Sequence, residues 1–171
     1  PAVMVKSATT LDEMSGGRFA LGVGTGWMEP EHARFGLELP SVSERFERLA
    51  EALEYITTAC SGGGTTSGKY YSLDLESVSP KASKGLRIVV GGGGPRKTPT
   101  LAGRYAGEYN MFLTDRETLD ARLDVFRAAA AEAGRDPSDI LVSFAGPAMF
   151  FETQAEHDAE MNDRAARRGI T

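Results

Sequence analysis

A chain of 171 residues, 41% hydrophobic and 25% charged, has the size and balance of a globular domain with a real core. Its net charge of −5 argues against a general nucleic-acid or membrane-surface binder. Cys60 is the one cysteine, which excludes an internal disulfide and a cysteine-built zinc site and points to a reducing, cytoplasmic setting. His32 and His157 lie far apart and form no metal-ligand pattern, and no apolar run approaches the ~20 residues of a membrane span. The ends, at Pro1 and at Gly169-Ile170-Thr171, fall where elements begin, as expected for a piece of a larger domain.

In chain order, Pro1 to Met14 reads as a helix with Met4, Ala8, Leu11 and Met14 on its apolar face, ended by Ser15-Gly16-Gly17. Arg18 to Gly24 is an apolar strand without alternation, the pattern of a strand buried on both faces. Residues Met28 to Pro40 read as a loop. Ser41-Val42-Ser43-Glu44 is a capping box, followed by Phe46, Leu49, Leu53 and Ile56 on one face of a helix reaching about Ala59. Ser61 to Gly68 reads as a loop with no reason to be rigid, and Tyr70 to Val78 as a small hairpin or excursion.

Leu86 to Val90 is a second buried strand, and Thr98-Pro99 opens a helix with proline at its first position. That helix turns Leu101, Ala102, Tyr105 and Ala106 inward and closes at Gly107. Glu108 to Leu113 is a third strand. Thr114-Asp115-Arg116-Glu117 then caps a long helix carrying Leu119, Leu123, Phe126, Ala130 and Ala133, stopped by Gly134. Ile140 to Phe144 starts a fourth strand, extending toward Phe151 around Gly146-Pro147. Thr153-Gln154-Ala155-Glu156 caps a polar helix to Gly169. Helices alternating with buried strands predict a parallel α/β sheet with right-handed crossovers. The pattern alone admits a doubly wound sheet or part of a (β/α)8 barrel, which typically takes ~250 residues.

Two glycine clusters stand at strand ends, where parallel folds bind ligands. Gly91 to Gly94, followed by Pro95, Arg96, Lys97 and a helix start, combines bare backbone, a helix N-terminus and two cations, the ingredients of an anion site and above all of a phosphate site. It is no Walker loop, because Arg96 stands where glycine must precede Lys97-Thr98. Gly22-Val23-Gly24-Thr25-Gly26 lacks the spacing of a dinucleotide fingerprint; it is a tight turn or a ligand contact. Trp27 serves either to stack on a planar ring or to anchor a loop. Glu29 and Glu31 are candidate acids or bases, or solvated loop charges. Asn110, Phe112 and Thr114 are placed to line a pocket at the third strand's end.

The run Thr10 to Trp27, with Gly16-Gly17-Arg18-Phe19 and Gly22-Val23-Gly24-Thr25-Gly26-Trp27 within it, resembles a hallmark of the bacterial luciferase-like monooxygenase superfamily. Arg45 to Leu53, Tyr70-Tyr71-Ser72-Leu73, Ile88 to Pro95 and Leu101 to Asn110 are similar to its following elements, with a spelling nearest the branch that uses deazaflavin F420. The resemblance implies a (β/α)8 TIM barrel, here about strands four to seven with their helices, as a single domain over 1–171 with an insertion at 61–85. It implies coenzyme F420, or FMN in the alternative, and hydride transfer to or from a small organic substrate; the other readings are an FMN-dependent monooxygenase or a non-catalytic flavin- or phosphate-binding fragment. On this mapping Thr25, Gly26, Gly92, Gly93, Gly94, Arg96 and Lys97 contact the cofactor. The glutamate and asparagine of the sugar-phosphate dehydrogenases in this family match Trp27 and Pro30, and their substrate-contact threonine falls near Phe112, so no catalytic residue carries over. A partial barrel with open edges is expected to form a homo-oligomer or to pair with another chain.

Overall fold

The computed structural model describes residues 1–82, 85–146 and 148–168. Its elements are α1 (Ala2–Met14), β1 (Ala20–Val23), α2 (Glu29–Arg34), α3 (Val42–Cys60), β2 (Gly64–Ser67), β3 (Ser72–Leu75), β4 (Arg87–Gly91), α4 (Lys97–Tyr105), β5 (Glu108–Phe112), α5 (Arg116–Glu132), a 3-10 turn (Pro137–Asp139), β6 (Leu141–Ala145) and α6 (Gln154–Arg168). The expected fourth strand ends at Ala145, and its continuation through Pro147 and the expected helix end at Gly169 fall outside the described residues.

β1, β4, β5 and β6 form one parallel sheet in that order. Spatial order follows chain order with no reversal, and α1 touches α3, α3 touches α4, and α4 packs closely on α5. All four helices therefore follow one another across one face, the winding of a (β/α)8 barrel rather than of a doubly wound sheet, whose strand order turns back at a switch point. The helix-covered face carries Leu21, Ile88, Val90, Tyr109 and Met111, all buried. On the opposite, concave face, Gly22 and Phe112 are exposed and Val89 and Asn110 half-buried. The expectation of strands buried on both faces holds for one face only, because no described helix covers the other.

α1 is rotated from its expected face. Val5, Ala8, Thr9 and Asp12 are buried against α3 and β1, while Leu11 and Met14 are 45% and 79% exposed. The two apolar stripes differ by about one position, and packing against α3 selects the one containing small Ala8 and Thr9. In α3, Ser41 Oγ accepts the Glu44 N–H at 3.3 Å, while the Glu44 carboxylate accepts from Arg48 at 2.7 Å instead of closing the box.

Three further expectations shift. The 28–40 loop contains the six-residue helix α2, which buries no residue. The 61–68 loop contains β2, antiparallel to β3. This excursion is rooted in the body: Leu73, Val78 and Leu86 are buried, and the Glu51 carboxylate of α3 accepts the backbone N–H groups of Lys69, Tyr70 and Tyr71 at 2.9, 2.7 and 3.0 Å. Arg48 and Lys69 each lie 4.6 Å from the centroid of the Tyr70 ring. α4 starts two residues early, at Lys97, which puts Pro99 at the third helical position. α5 is capped by Asp115, one residue later than expected, through the Thr118 N–H at 2.8 Å. At α6 the reciprocal box forms as expected, Glu156 N–H to Thr153 Oγ1 at 3.2 Å and Thr153 N–H to Glu156 Oε2 at 3.3 Å.

Candidate functional site

The carboxyl ends of β1, β4 and β5 surround a cleft of about 710 Å³, within the range of small-molecule sites. Glycine backbone makes much of its floor, with the Val89 and Asn110 side chains between. Gly22 stands in mid-strand with open space where a Cβ would lie. At Gly24 a Cβ would come 3.2 Å from the Gly91 carbonyl oxygen, so bare backbone lets β1 and β4 close up just below the rim. Gly26 has φ +70°, a Cβ there would press on the His32 ring at 3.2–3.3 Å, and its carbonyl accepts from Arg45 Nη1 of α3. Trp27, 77% exposed, and Phe112, 64% exposed, rise at the rim.

Thr25, Gly26, Gly92 and Gly93 meet in this one cleft, as the sequence leads one to expect. Gly94, Arg96 and Lys97 do not line it. A Cβ at Gly94 would face Thr98 Oγ1 at 3.2 Å. Arg96 and Lys97 line a separate shallow hollow between α3 and α4, with Lys97 Nζ 5.2 Å from the centroid of the Phe46 ring. The glycine loop therefore has two sides, a ring-sized cleft on one and two exposed cations on the other. α4 begins behind this loop with no side-chain cap on Arg96 and no acidic residue in its first turn. The nearby carboxylate is Glu47 of α3, which lines the same hollow and already accepts from Tyr70 and Lys69, so α4 itself brings only positive charge to this end, which suits an anion.

On the concave face four polar side chains join in series. Asn110 Nδ2 donates to Ser143 Oγ at 2.8 Å, Ser143 Oγ donates to Glu108 Oε1 at 2.6 Å, and Arg87 Nη1 lies 3.7 Å from Glu108 Oε2. Asn110 is a pocket residue in the sequence reading too. Ser143, Glu108 and Arg87 are not, and the signal for them was alternation: 108, 110 and 112 share a strand face, and register sets Ser143 beside Asn110. Arg45, which fixes Gly26, was hidden on the polar flank of α3.

The other candidates lie elsewhere. Glu29 and Glu31 are exposed in α2, Thr114 bonds Asp115, and His157 pairs with Asp158 on α6. Tyr109 is behind the sheet, where burial pushes its phenol above the usual range and its hydroxyl has no described partner. It is a packing residue, stacked on Phe126 at 5.4 Å.

The sequence profile of the luciferase-like monooxygenases matches residues 1–171. The chain belongs to that family. Among luciferase-like relatives it is 33% identical over 161 residues to an F420-dependent glucose-6-phosphate dehydrogenase of Nakamurella multipartita, covering 91% of this chain and 46% of the relative. It is 32% identical over 155 residues to the pyrimidine monooxygenase RutA of Allorhizobium ampelinum, covering 83% and 40%. The structure superposes on an F420-dependent secondary alcohol dehydrogenase, solved with an F420-acetone adduct, with a TM-score of 0.71 and 29% identity over 84% of this chain and 44% of that one. The chain thus spans less than half the length of these luciferase-like proteins. Four parallel strands with their helices are accordingly an arc of a luciferase-like (β/α)8 barrel, and the cleft lies on the barrel's interior side at its carboxyl end.

Proposed function

We propose that this chain is the cofactor-holding part of an F420-dependent oxidoreductase acting on a small organic substrate. The observation that carries the reading is the glycine-lined cleft beside the N-terminus of α4, where Arg96 and Lys97 stand and the first turn has no acidic residue. A flat tricyclic ring needs room to lie close to the backbone, and Gly22, with open space at its Cβ position, and the bare backbone of Gly24, Gly91 and Gly92 would give it. Thr25 and Gly26 would run along the ring, Gly92 and Gly93 would turn the chain around it, and Gly94, Arg96, Lys97 and the α4 N-terminus would take the phosphate. When bound, the deazaflavin supplies the carbon that accepts or gives the hydride. The protein's part is to orient the ring, with Trp27 and Phe112 bounding the substrate's side. Similarity to proteins named as F420-dependent dehydrogenases supports this choice.

A second reading, an FMN-dependent monooxygenase, is favoured by the similarity to RutA. Both readings fit a cytoplasmic setting. Residues 61–85 are then an insertion between barrel strands, and the open edges of β1 and β6 call for a second copy or another chain. Titration of the 171-residue chain with F420 and with FMN, followed by absorbance and fluorescence, tests the assignment. Saturable F420 binding, tighter than FMN, is the expected result. Binding of FMN alone replaces the first reading by the second, and binding of neither removes both. Light scattering should show a species larger than a monomer; a well-behaved monomer refutes the pairing.

A further inference from the structure

We propose that Asn110 is a specificity-determining residue of the cleft, its side-chain oxygen held as the acceptor for the ring imide N–H of a flavin-type ligand by the series Arg87–Glu108–Ser143. The inference rests on the reading of the cleft as a flavin-type site. Its starting point is the direction of the hydrogen bonds. Glu108, facing Arg87, is a carboxylate and only accepts. Ser143 has one hydroxyl hydrogen, and at 2.6 Å it goes to Glu108. Ser143 is left able only to accept, so position 110 must present its NH2 to it, at 2.8 Å. The amide is thereby locked in one of its two flip states, and Oδ1, which has no partner among the described residues, is the end left for the cleft. Without this series the two flips of an asparagine differ little in cost, and the cleft would offer a donor as readily as an acceptor.

The other side chains of the cleft do not offer a fixed acceptor. Glycine, valine and phenylalanine have none, Trp27 only donates, and the Thr25 hydroxyl, which donates to the Gly26 carbonyl at 3.3 Å, is held by that single long bond and not by a series of partners. The pyrimidine edge of flavins and deazaflavins reads acceptor, donor, acceptor. The backbone N–H groups of a glycine loop can serve its carbonyls, but its central N–H requires an acceptor. Asn110 adjoins that loop directly: its own backbone carbonyl accepts the Gly92 N–H at 3.3 Å. Ser143 and Glu108 do not line the cleft and act through Asn110, as positioning residues.

The test compares 8-hydroxy-5-deazariboflavin with its N3-methyl derivative, titrated by fluorescence against the full chain. Wild type should prefer the unmethylated ring by about tenfold, the worth of one well-placed hydrogen bond. Asn110→Ala, which also leaves room for the methyl group, should bind both within about twofold. Ser143→Ala should do the same, and Ser143→Thr, which keeps the hydroxyl, should restore the preference. A merely structural role would weaken both ligands equally and leave their ratio alone. Equal binding of the two rings by wild type, or a tenfold preference that survives in Asn110→Ala or Ser143→Ala, overturns the proposal. Should Asn110→Ala fail to fold by circular dichroism, the Ser143 pair decides alone. Wild type binding neither ring would instead sink the flavin reading, and the proposal with it.

Discussion

Gly103→Ala sets two physical effects of opposite sign against each other. Gly103 lies inside α4, where intrinsic helix preference favours alanine by about 1 kcal/mol. It is also where α4 crosses α5. A Cβ there would lie 2.5 Å from the Phe126 carbonyl oxygen, 2.8 Å from the Ala130 nitrogen and 3.0 Å from Ala129 Cβ, against about 3.4 Å for ordinary contact. Two of the three obstacles are backbone, so no rotamer change relieves them, and the helices must separate by about 1 Å. Overpacking of this kind costs about 3 kcal/mol at its upper end. A gap of that size also forfeits a quarter to a half of the dispersion well along the seam, roughly 1 kcal/mol across Ala102, Phe126 and Ala130. The net is a destabilisation of about 3 kcal/mol. For a chain of this size that is a drop of roughly 6–12 °C in Tm by circular dichroism. Gly93→Ala, with open space around its Cβ, is the matched control and should move Tm little. A Gly103→Ala protein as stable as wild type, or more so, would show that the α4–α5 seam has slack and that helix propensity dominates.

At the cleft floor, Gly22→Leu should leave the melt unchanged or slightly raised, since nothing lies within 4 Å of its Cβ, yet abolish saturable F420 binding in the same titration. Glu51→Ala should release the excursion: hydrogen exchange at the Lys69, Tyr70 and Tyr71 amides should accelerate while the sheet amides stay protected. Burial pushes the Glu51 carboxyl up, but those three N–H donors outweigh it and hold it below its usual value, so its contribution is present above the unfolded-state pKa and lost as pH falls through the depressed folded-state one. Protection at the three amides should disappear on that acid limb, before global unfolding. Arg135→Ala should cost about 2 kcal/mol in urea unfolding, because its guanidinium donates to the terminal carbonyls of Gly103 and Ala106 at 2.8 and 2.6 Å; Arg135→Lys, lacking the fork, should recover only part.

The elements legible in the sequence were those whose signals are local. Ser41 before Phe46 and Leu49, and the β-branched run ending at Gly91, each declare themselves within a few residues. What escaped was set by partners distant in sequence. β2 is Gly-Thr-Thr-Ser, poor strand material alone, and exists because β3 pairs with it and α3 holds the turn. The buried stripe of α1 had a rival only one position away, and contact with α3 made the choice. The glycine loop was recognisable, but not that its two faces part company, since whether Lys97 turns toward the cleft or toward Phe46 depends on where α3 runs. The Asn110–Ser143 bond spans 33 residues and is visible only through the register of two parallel strands.

The four glycines of the cleft floor, Gly22, Gly24, Gly91 and Gly92, can be altered in one direction only. No residue is smaller than glycine, so every mutation there adds bulk, and none can enlarge the chamber or admit a thicker guest. Diversification toward new substrates is thereby displaced to the side chains with volume to lose, Trp27 and Phe112 at the rim and Val89 between the glycines. Random mutagenesis of this chain should accordingly yield changed selectivity at positions 27, 89 and 112, and only loss at 22 and 24.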